Sequence, residues 1–363
     1  MKLRVLVFFL LILYSCRNED RDILPEAQHT LIVYIAGDND LSEDATNNLR
    51  QMEIGYRNTG AKMLVFIDTA NEPPKLLEIN GNRSLLLKTY PEFNSASAKG
   101  INNILSEITV LYPSDSYGLI LWSHGTSWLP AGSILKSFGD DSGKQINISE
   151  LAEALPVQFE FILFDACLMG AVEVAYELKD KAHHIIAPST ETIADGFPYA
   201  LIIPELLAAR PDLNKTAKLY FDFYNKQHGA NRSATISLIN TQGLGTLAEE
   251  MKKLIQTEGF NFSDFDRYSV QRLDVYTEQY HFDLLDFIDK LYIGNKNSFI
   301  GQLNKTMLYK AHTPRFIELY DINTYCGLSC YIPHPQRKDL NAYYSTLKWS
   351  IDTSVSDFLQ VEF

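Results

Sequence analysis

The chain has 363 residues, with 32 Lys and Arg against 45 Asp and Glu; a net charge of −13 offers no general attraction to phosphate backbones and argues against nucleic acid as a partner. Hydrophobic residues make up 46% and aromatic residues 12%, enough to bury a large core, which excludes wholesale disorder. Four cysteines are too few for a disulfide scaffold, and the length fits two domains or one large domain with additions.

The first fifteen residues stand apart from the fold. Lys2 and Arg4 precede the apolar run Val5 to Leu13, which is too short to cross about 30 Å of hydrocarbon and reads as a signal-peptide h-region. Leu13-Tyr14-Ser15-Cys16 resembles the lipobox of bacterial lipoproteins. That resemblance implies cleavage before Cys16, lipid on its sulfur, and a lipid anchor in the bacterial cell envelope, at the outer membrane or cell surface. An ordinary secretory signal with an incidental cysteine is the alternative. Residues 16–28 then form a polar tether, and no later run is apolar enough over 18 residues to be read as a membrane span.

Short apolar runs follow at Leu31–Ile35, Met63–Ile67, Leu119–Trp122, Val157–Phe164 and Ile185–Ala187. Continuous rather than alternating apolarity predicts strands buried on both faces, hence a mostly parallel sheet flanked by helices, an α/β fold. Leu76–Ile79 and Leu85–Lys88, joined through Asn80-Gly81-Asn82, predict a hairpin. Ile101, Ile104, Leu105, Ile108 and Leu111 share one helical face, and a second helix runs through Leu151 to Leu155. In the second half, Ala234–Ile239 predicts one more strand. Helical patterns pass through Leu244, Leu247, Met251 and Leu254, then Asp283–Leu291 and Ser298–Met307, and a strand is expected at Leu328–Ile332.

In open parallel sheets, sites form beyond the carboxyl ends of the strands. One such end reads Trp122-Ser123-His124-Gly125 and another Phe164-Asp165-Ala166-Cys167, 43 residues later. Adjacent parallel strands would bring His124 and Cys167 together. An imidazole can move a proton between thiol and leaving group, and the helical pattern Gly170–Leu178 would favour the thiolate through its N-terminal dipole. Glycine at position 125 lets a backbone N–H approach a developing oxyanion. Taken singly, Cys167 could be a small buried hydrophobe and His124 a polar strand end; together they favour chemistry.

A hydrophobic block ending in His-Gly and a second ending in Asp-Ala-Cys resemble the caspase-like superfamily of cysteine peptidases. More closely, Phe164-Asp165-Ala166-Cys167-Leu168-Met169, Ser189-Thr190-Glu191-Thr192, Asp195-Gly196-Phe197-Pro198-Tyr199, the early Tyr34 to Leu41 and the late Gly327 to Pro333 resemble the clostripain family. That resemblance implies a caspase-like fold, a His124–Cys167 dyad, and an oxyanion site at the N–H groups of Gly125 and Cys167. It implies a peptidase acting on proteins or peptides with Arg or Lys at P1, read by Asp165 and Asp195 in the S1 pocket. It also implies self-cleavage between histidine and cysteine, for which Lys136 and Lys144 are the candidates. On this reading residues 1–15 are signal peptide, 16–28 tether, 29–240 the caspase-like catalytic domain, and 241–363 a mainly helical subdomain with a strand near 328–332. Rival readings are a non-catalytic lipoprotein that binds through the same fold, and a different acyl-transfer hydrolase using the same pair.

Other signals fail. Gly139 to Gln145 superficially suggests a phosphate loop, but its glycine spacing is one residue short and Gln145 replaces Ser or Thr. Ser123 has no Gly-x-Ser-x-Gly around it. Cys326 and Cys330 lack zinc-site companions and read as buried thiols, with a disulfide open in an oxidising compartment. His183 and His184 read as surface or cap residues preceding a strand. Asp38, Asp40, Glu43 and Asp44 offer oxygen ligands, but the EF-hand glycine is missing, so a solvated loop is expected. No cofactor is required, with calcium left open.

Overall fold

The computed structural model describes residues 27–130, 138–260 and 265–357. Cys16 and Lys136, together with the signal segment, lie outside the described residues. Nine strands form one sheet: β1 (Thr30–Gly37), β2 (Lys62–Thr69), β3 (Glu72–Ile79), β4 (Ser84–Thr89), β5 (Tyr117–Trp122), β6 (Phe159–Asp165), β7 (Ala182–Ala187), β8 (Thr235–Asn240) and β9 (Met307–His312). Their spatial order is β9-β8-β7-β6-β5-β1-β2-β3-β4. The central five, β7-β6-β5-β1-β2, pair in parallel, and each edge is completed by antiparallel strands.

The continuous apolarity of the central strands has the expected cause. In β1, Leu31, Val33 and Ile35 point to one face and Ile32, Tyr34 and Ala36 to the other, because side chains alternate across a sheet. The first face is covered by α1 (Ser42–Gly55), α5 (Tyr199–Leu206) and α6 (Leu213–Asn225); the second by α2 (Ala98–Leu111), α3 (Ile148–Ala154), α4 (Val172–Glu177) and α7 (Leu244–Gln256). Each face therefore has its own core, and both cores fix the level of the strand ends.

Several expectations need correction. Leu111, expected on the buried face of α2, is 49% exposed, beyond the last packed turn at Ile108. The helical run ending at Met307 stops at Thr306, and Met307–His312 instead forms edge strand β9, so the region after residue 240 returns to the main sheet. Only Ser329–Cys330 of the expected strand at Leu328–Ile332 is a strand, paired with Phe282–Asp283. Around it, the buried backbone is satisfied differently: the Arg267 guanidinium donates to the Ile332 carbonyl at 3.0 Å. His183 and His184 lie within β7 rather than before it. Cys326 and Cys330 are buried free thiols.

Candidate active site

Three neighbouring parallel strands, β1, β5 and β6, deliver the chemistry-bearing residues. Ile35, Trp122 and Asp165 share one register row, so His124 and Cys167 each stand two residues beyond it on adjacent strands. Both line a cleft of about 130 Å³, with Leu41, Trp122, Asp165, Thr192, Ile193 and Gly196 among the other walls. His124 and Cys167 are half-buried, which leaves each a surface in the cleft.

The chain beyond Cys167 turns sharply. Leu168 has φ of 66°, a left-handed conformation that is strained for a bulky residue. Two backbone bonds to the segment leaving β7 hold it there, Leu168 N–H to Thr190 O at 2.9 Å and Gly170 N–H to Pro188 O at 2.6 Å. The same segment reaches the sulfur, where the Thr192 N–H donates to Cys167 Sγ at 3.3 Å. Glu191, beside it, is fastened in turn by the Val275 N–H at 3.0 Å. Burial pushes the Cys167 thiol up to about 12, the Thr192 N–H opposes this, and the carboxylates of Glu191 and Asp165 add to it. The expected dipole assistance fails. The helix after Cys167 begins only at Val172 and spans 6 residues, so desolvation prevails and the resting thiol keeps its proton.

His124 is positioned from the other side. Its Nε2 lies 2.7 Å from Asp40 Oδ1, at the end of β1, and its carbonyl accepts the Gly139 N–H at 3.0 Å. Ser123 is a staple here: its hydroxyl donates to the Ala36 carbonyl at 2.6 Å and accepts the Asp140 N–H at 3.1 Å. Those contacts seat the hairpin Phe138–Asp141/Lys144–Ile146, which replaces any phosphate loop, against the histidine. Gly125 runs so close to the Cys167 segment that a Cβ there would lie 2.8 Å from the Cys167 carbonyl oxygen. Lys144 is exposed at the start of the second hairpin strand. Among the described residues no group of three or more His, Cys, Asp or Glu is arranged to hold a metal ion; Asp40, one of the calcium candidates, faces His124 instead.

The two aspartates of the expected S1 pocket line adjoining recesses. Asp165 is buried in the cleft wall, where its Oδ2 accepts the Phe197 N–H at 3.0 Å and the Tyr199 hydroxyl at 2.7 Å. Burial pushes its carboxyl up to about 6 against both bonds. Asp195 is exposed and lines a larger recess that adjoins the cleft; Gly196, with φ of 69°, lines both. Asn48 connects them, accepting from the Trp122 indole at 2.8 Å and donating to the Asp195 carbonyl at 3.1 Å. Asp40, Asn48 and Thr192 escaped the sequence reading of the site. The position of Asp40 just past β1, next to β5, was the one available signal.

The clostripain family model matches residues 33–359. The chain belongs to the clostripain family of peptidases. Among solved structures it is similar to an inactive zymogen C11 protease from Parabacteroides distasonis, with 32% identity, 90% of this chain and 98% of that chain covered, and a TM-score of 0.81. It is also similar to a secreted C11 cysteine protease from Bacteroides thetaiotaomicron, in complex with an irreversible peptide inhibitor, with 27% identity, 91% and 99% covered, and a TM-score of 0.81. Clostripain of Hathewaya histolytica is 24% identical over 228 residues, 49% of this chain and 42% of that protein, so the match spans less than half of its length. The sheet flanked by helices is thus the caspase-like arrangement of clostripain-family proteases.

Proposed function

We propose that the protein is a cysteine endopeptidase that cleaves after Arg or Lys, with Cys167 as nucleophile and His124 as acid and base. The observation that carries this reading is that His124 and Cys167 each follow the register pair Trp122–Asp165 by two residues and line one cleft beside the buried Asp165. Burial raises the Cys167 thiol, so attack is coupled to proton transfer. Sγ bonds to the scissile carbonyl carbon as its proton passes to His124, and the N–H groups of Gly125 and Cys167 receive the oxyanion. Collapse to the thioester expels the amine, which takes the proton from His124. Water, deprotonated by the same imidazole, then hydrolyses the thioester and returns the thiol. Asp165, held by two donors, supplies a fixed charge for a guanidinium or ammonium group.

Self-processing after Lys144, or after Lys136, belongs to the same proposal; Lys144 supports it by its exposure. A lipid anchor at Cys16 would place the enzyme in the cell envelope, and failure of labelled palmitate to enter the protein in its host would reject that part. The deciding experiment compares wild type with Cys167→Ala and His124→Ala on peptides that carry Lys, Arg or Leu at P1, alongside labelling by a Lys- or Arg-directed chloromethyl ketone. Wild type should cleave and label with the basic peptides, and both variants should lose cleavage. Wild type that neither cleaves nor labels would refute the function. A single full-length band from active wild type would refute obligatory processing.

A further inference from the structure

The amino ends of the parallel strands carry an apolar face that the active site does not use. Among the described residues twelve large hydrophobic side chains are exposed, and six of them are Ile54, Leu85, Leu86, Leu87, Val110 and Leu111. Scattered singly they would mean little, but these six belong to one corner of the fold. Glu53, near the end of α1, accepts the Ser84 N–H at 2.8 Å, which brings Ile54 to the start of β4. Lys88 of β4 bonds Glu107 of α2 at 2.7 Å, and Val110 and Leu111 stand one turn beyond Glu107. Leu86 lies opposite Leu77 on the α1 side of the sheet, and Leu85 opposite Glu78 on the α2 side.

The chain enters the fold at the same corner. The Ala27 N–H donates to the Pro113 carbonyl at 3.4 Å, and the Ala27 carbonyl accepts the Asp115 N–H at 3.1 Å and the Ser114 hydroxyl at 2.8 Å. Ala27 is thus fixed just past Tyr112, the residue that follows α2. Ten residues, 17–26, separate it from Cys16, and a chain of that length reaches at most about 40 Å. A lipid on Cys16 therefore keeps this end of the molecule near the bilayer. The rim suits an interface: Lys62 lies over the Tyr112 ring at 5.3 Å, and Arg57 and Arg83 are exposed beside Ile54 and Ser84. A second copy of the chain fits less well. Among the described residues β4 pairs with β3 alone, and the register shift between Leu76 and Leu77 is the kind of irregularity that discourages pairing with another strand.

We propose that this face seats on the lipid surface to which Cys16 is anchored, with Leu86, Val110 and their neighbours at the boundary between headgroups and acyl chains. The inference rests on the lipid-anchor reading above and deepens it. The seat is interfacial, so hydration continues to satisfy the unpaired backbone edge of β4. His124 and Cys167 stand beyond the opposite, carboxyl ends of β5 and β6. A strand of 8 residues such as β1 is about 26 Å long, so the cleft opens on the side of the molecule away from the bilayer. The anchored enzyme then takes polypeptides from solution rather than chains lying on its own membrane.

The test uses the full-length lipidated chain, with Cys167→Ala to remove the cleft thiol, in vesicles of phosphatidylethanolamine and phosphatidylglycerol. Cys326 and Cys330 are buried, so a thiol introduced by Val110→Cys, Leu86→Cys or Leu201→Cys takes a fluorophore selectively. Leu201 is exposed at the recess beside the cleft and reports the opposite end. Nitroxide-labelled lipid should quench the probes at positions 110 and 86 at least about threefold more than the probe at 201. Leu86→Asp with Leu111→Asp should bring quenching at position 110 down to the level at 201, while the protein still floats with the vesicles. Equal quenching at all three positions, or quenching at 110 that survives both aspartates, overturns the lipid seat. Cross-linking of Val110→Cys chains to each other without quenching would assign the face to a second copy and overturn it as well. Protein that does not float with the vesicles refutes the lipid anchor itself, a result distinct from flotation with equal quenching.

Discussion

His124 Nε2 lies 2.7 Å from Asp40 Oδ1, a contact between the carboxyl ends of neighbouring parallel strands β5 and β1. The Asp40 side chain is 81% exposed, so the pair contributes little to stability but fixes which way the imidazole faces. Asp40→Ala should lower kcat about tenfold with little change in KM and a stability change within about 0.5 kcal/mol. Steady-state kinetics and thermal melts on the same preparations check this. Unchanged kcat would remove Asp40 from any positioning role.

Cys167 makes a second prediction. With its thiol pushed up to about 12, the free enzyme holds very little thiolate at neutral pH. Iodoacetamide should alkylate Cys167 more slowly than a free cysteine below pH 8, with a rate that climbs steadily as pH rises. A rate plateau already reached below pH 6 would instead reveal a resting thiolate–imidazolium pair.

Gly125→Ala tests the close approach of the two strand-end segments. The added methyl would meet the Cys167 carbonyl oxygen at 2.8 Å and the Ala166 Cβ at 3.0 Å, so backbone must move. Overpacking of this kind costs about 1–3 kcal/mol. A loss of kcat of roughly a hundredfold is expected, because in the proposed mechanism the displaced segment carries both the nucleophile and an oxyanion donor. Melting and peptide hydrolysis together separate the two effects.

Asp68, at the end of β2, gives the fold an uncommon pH dependence. Both its carboxyl oxygens are buried without a hydrogen-bond partner, and the nearby Ser95 hydroxyl is turned to Asp141 at 3.2 Å. Burial pushes its pKa from 3.8 to about 7; Ser95 opposes this, and Glu92, Asp141 and Asp38 add to it. The folded form then keeps a proton that the unfolded chain releases. Stability from this group is complete below pH about 4 and is lost as pH rises through about 7. Glu173 and Glu191, each also raised by burial to about 7, push the same way. Tm should therefore fall between pH 5 and pH 8, and Asp68→Asn should flatten that fall. An identical slope in wild type and variant would contradict the assignment.

How much of this was legible in the sequence follows from what each element depends on. The central strands were readable because burial on both faces demands continuous apolarity, as in Leu31 to Ile35. Edge strand β9 was not, since Met307–His312 is half-exposed and its polar residues continue the pattern of the preceding helix. Leu328–Ile332 misled in the opposite sense: it is buried, but isolated backbone bonds to Leu284 and Gly170 and the side chains of Glu173 and Arg267, rather than a long ladder, satisfy its backbone. That His124 and Cys167 share one cleft was legible because strand ends are where sites form. The contact of Asp40 with His124 was not, because the direction of a loop side chain has no periodicity to read.

Asn48 holds the Trp122 indole with one end of its amide and the Asp195 carbonyl with the other. The wall of the cleft and the rim of the larger recess are therefore joined through a single planar group. Removing that amide, as in Asn48→Ala, frees both edges at once, so it is a change to two surfaces and not to one.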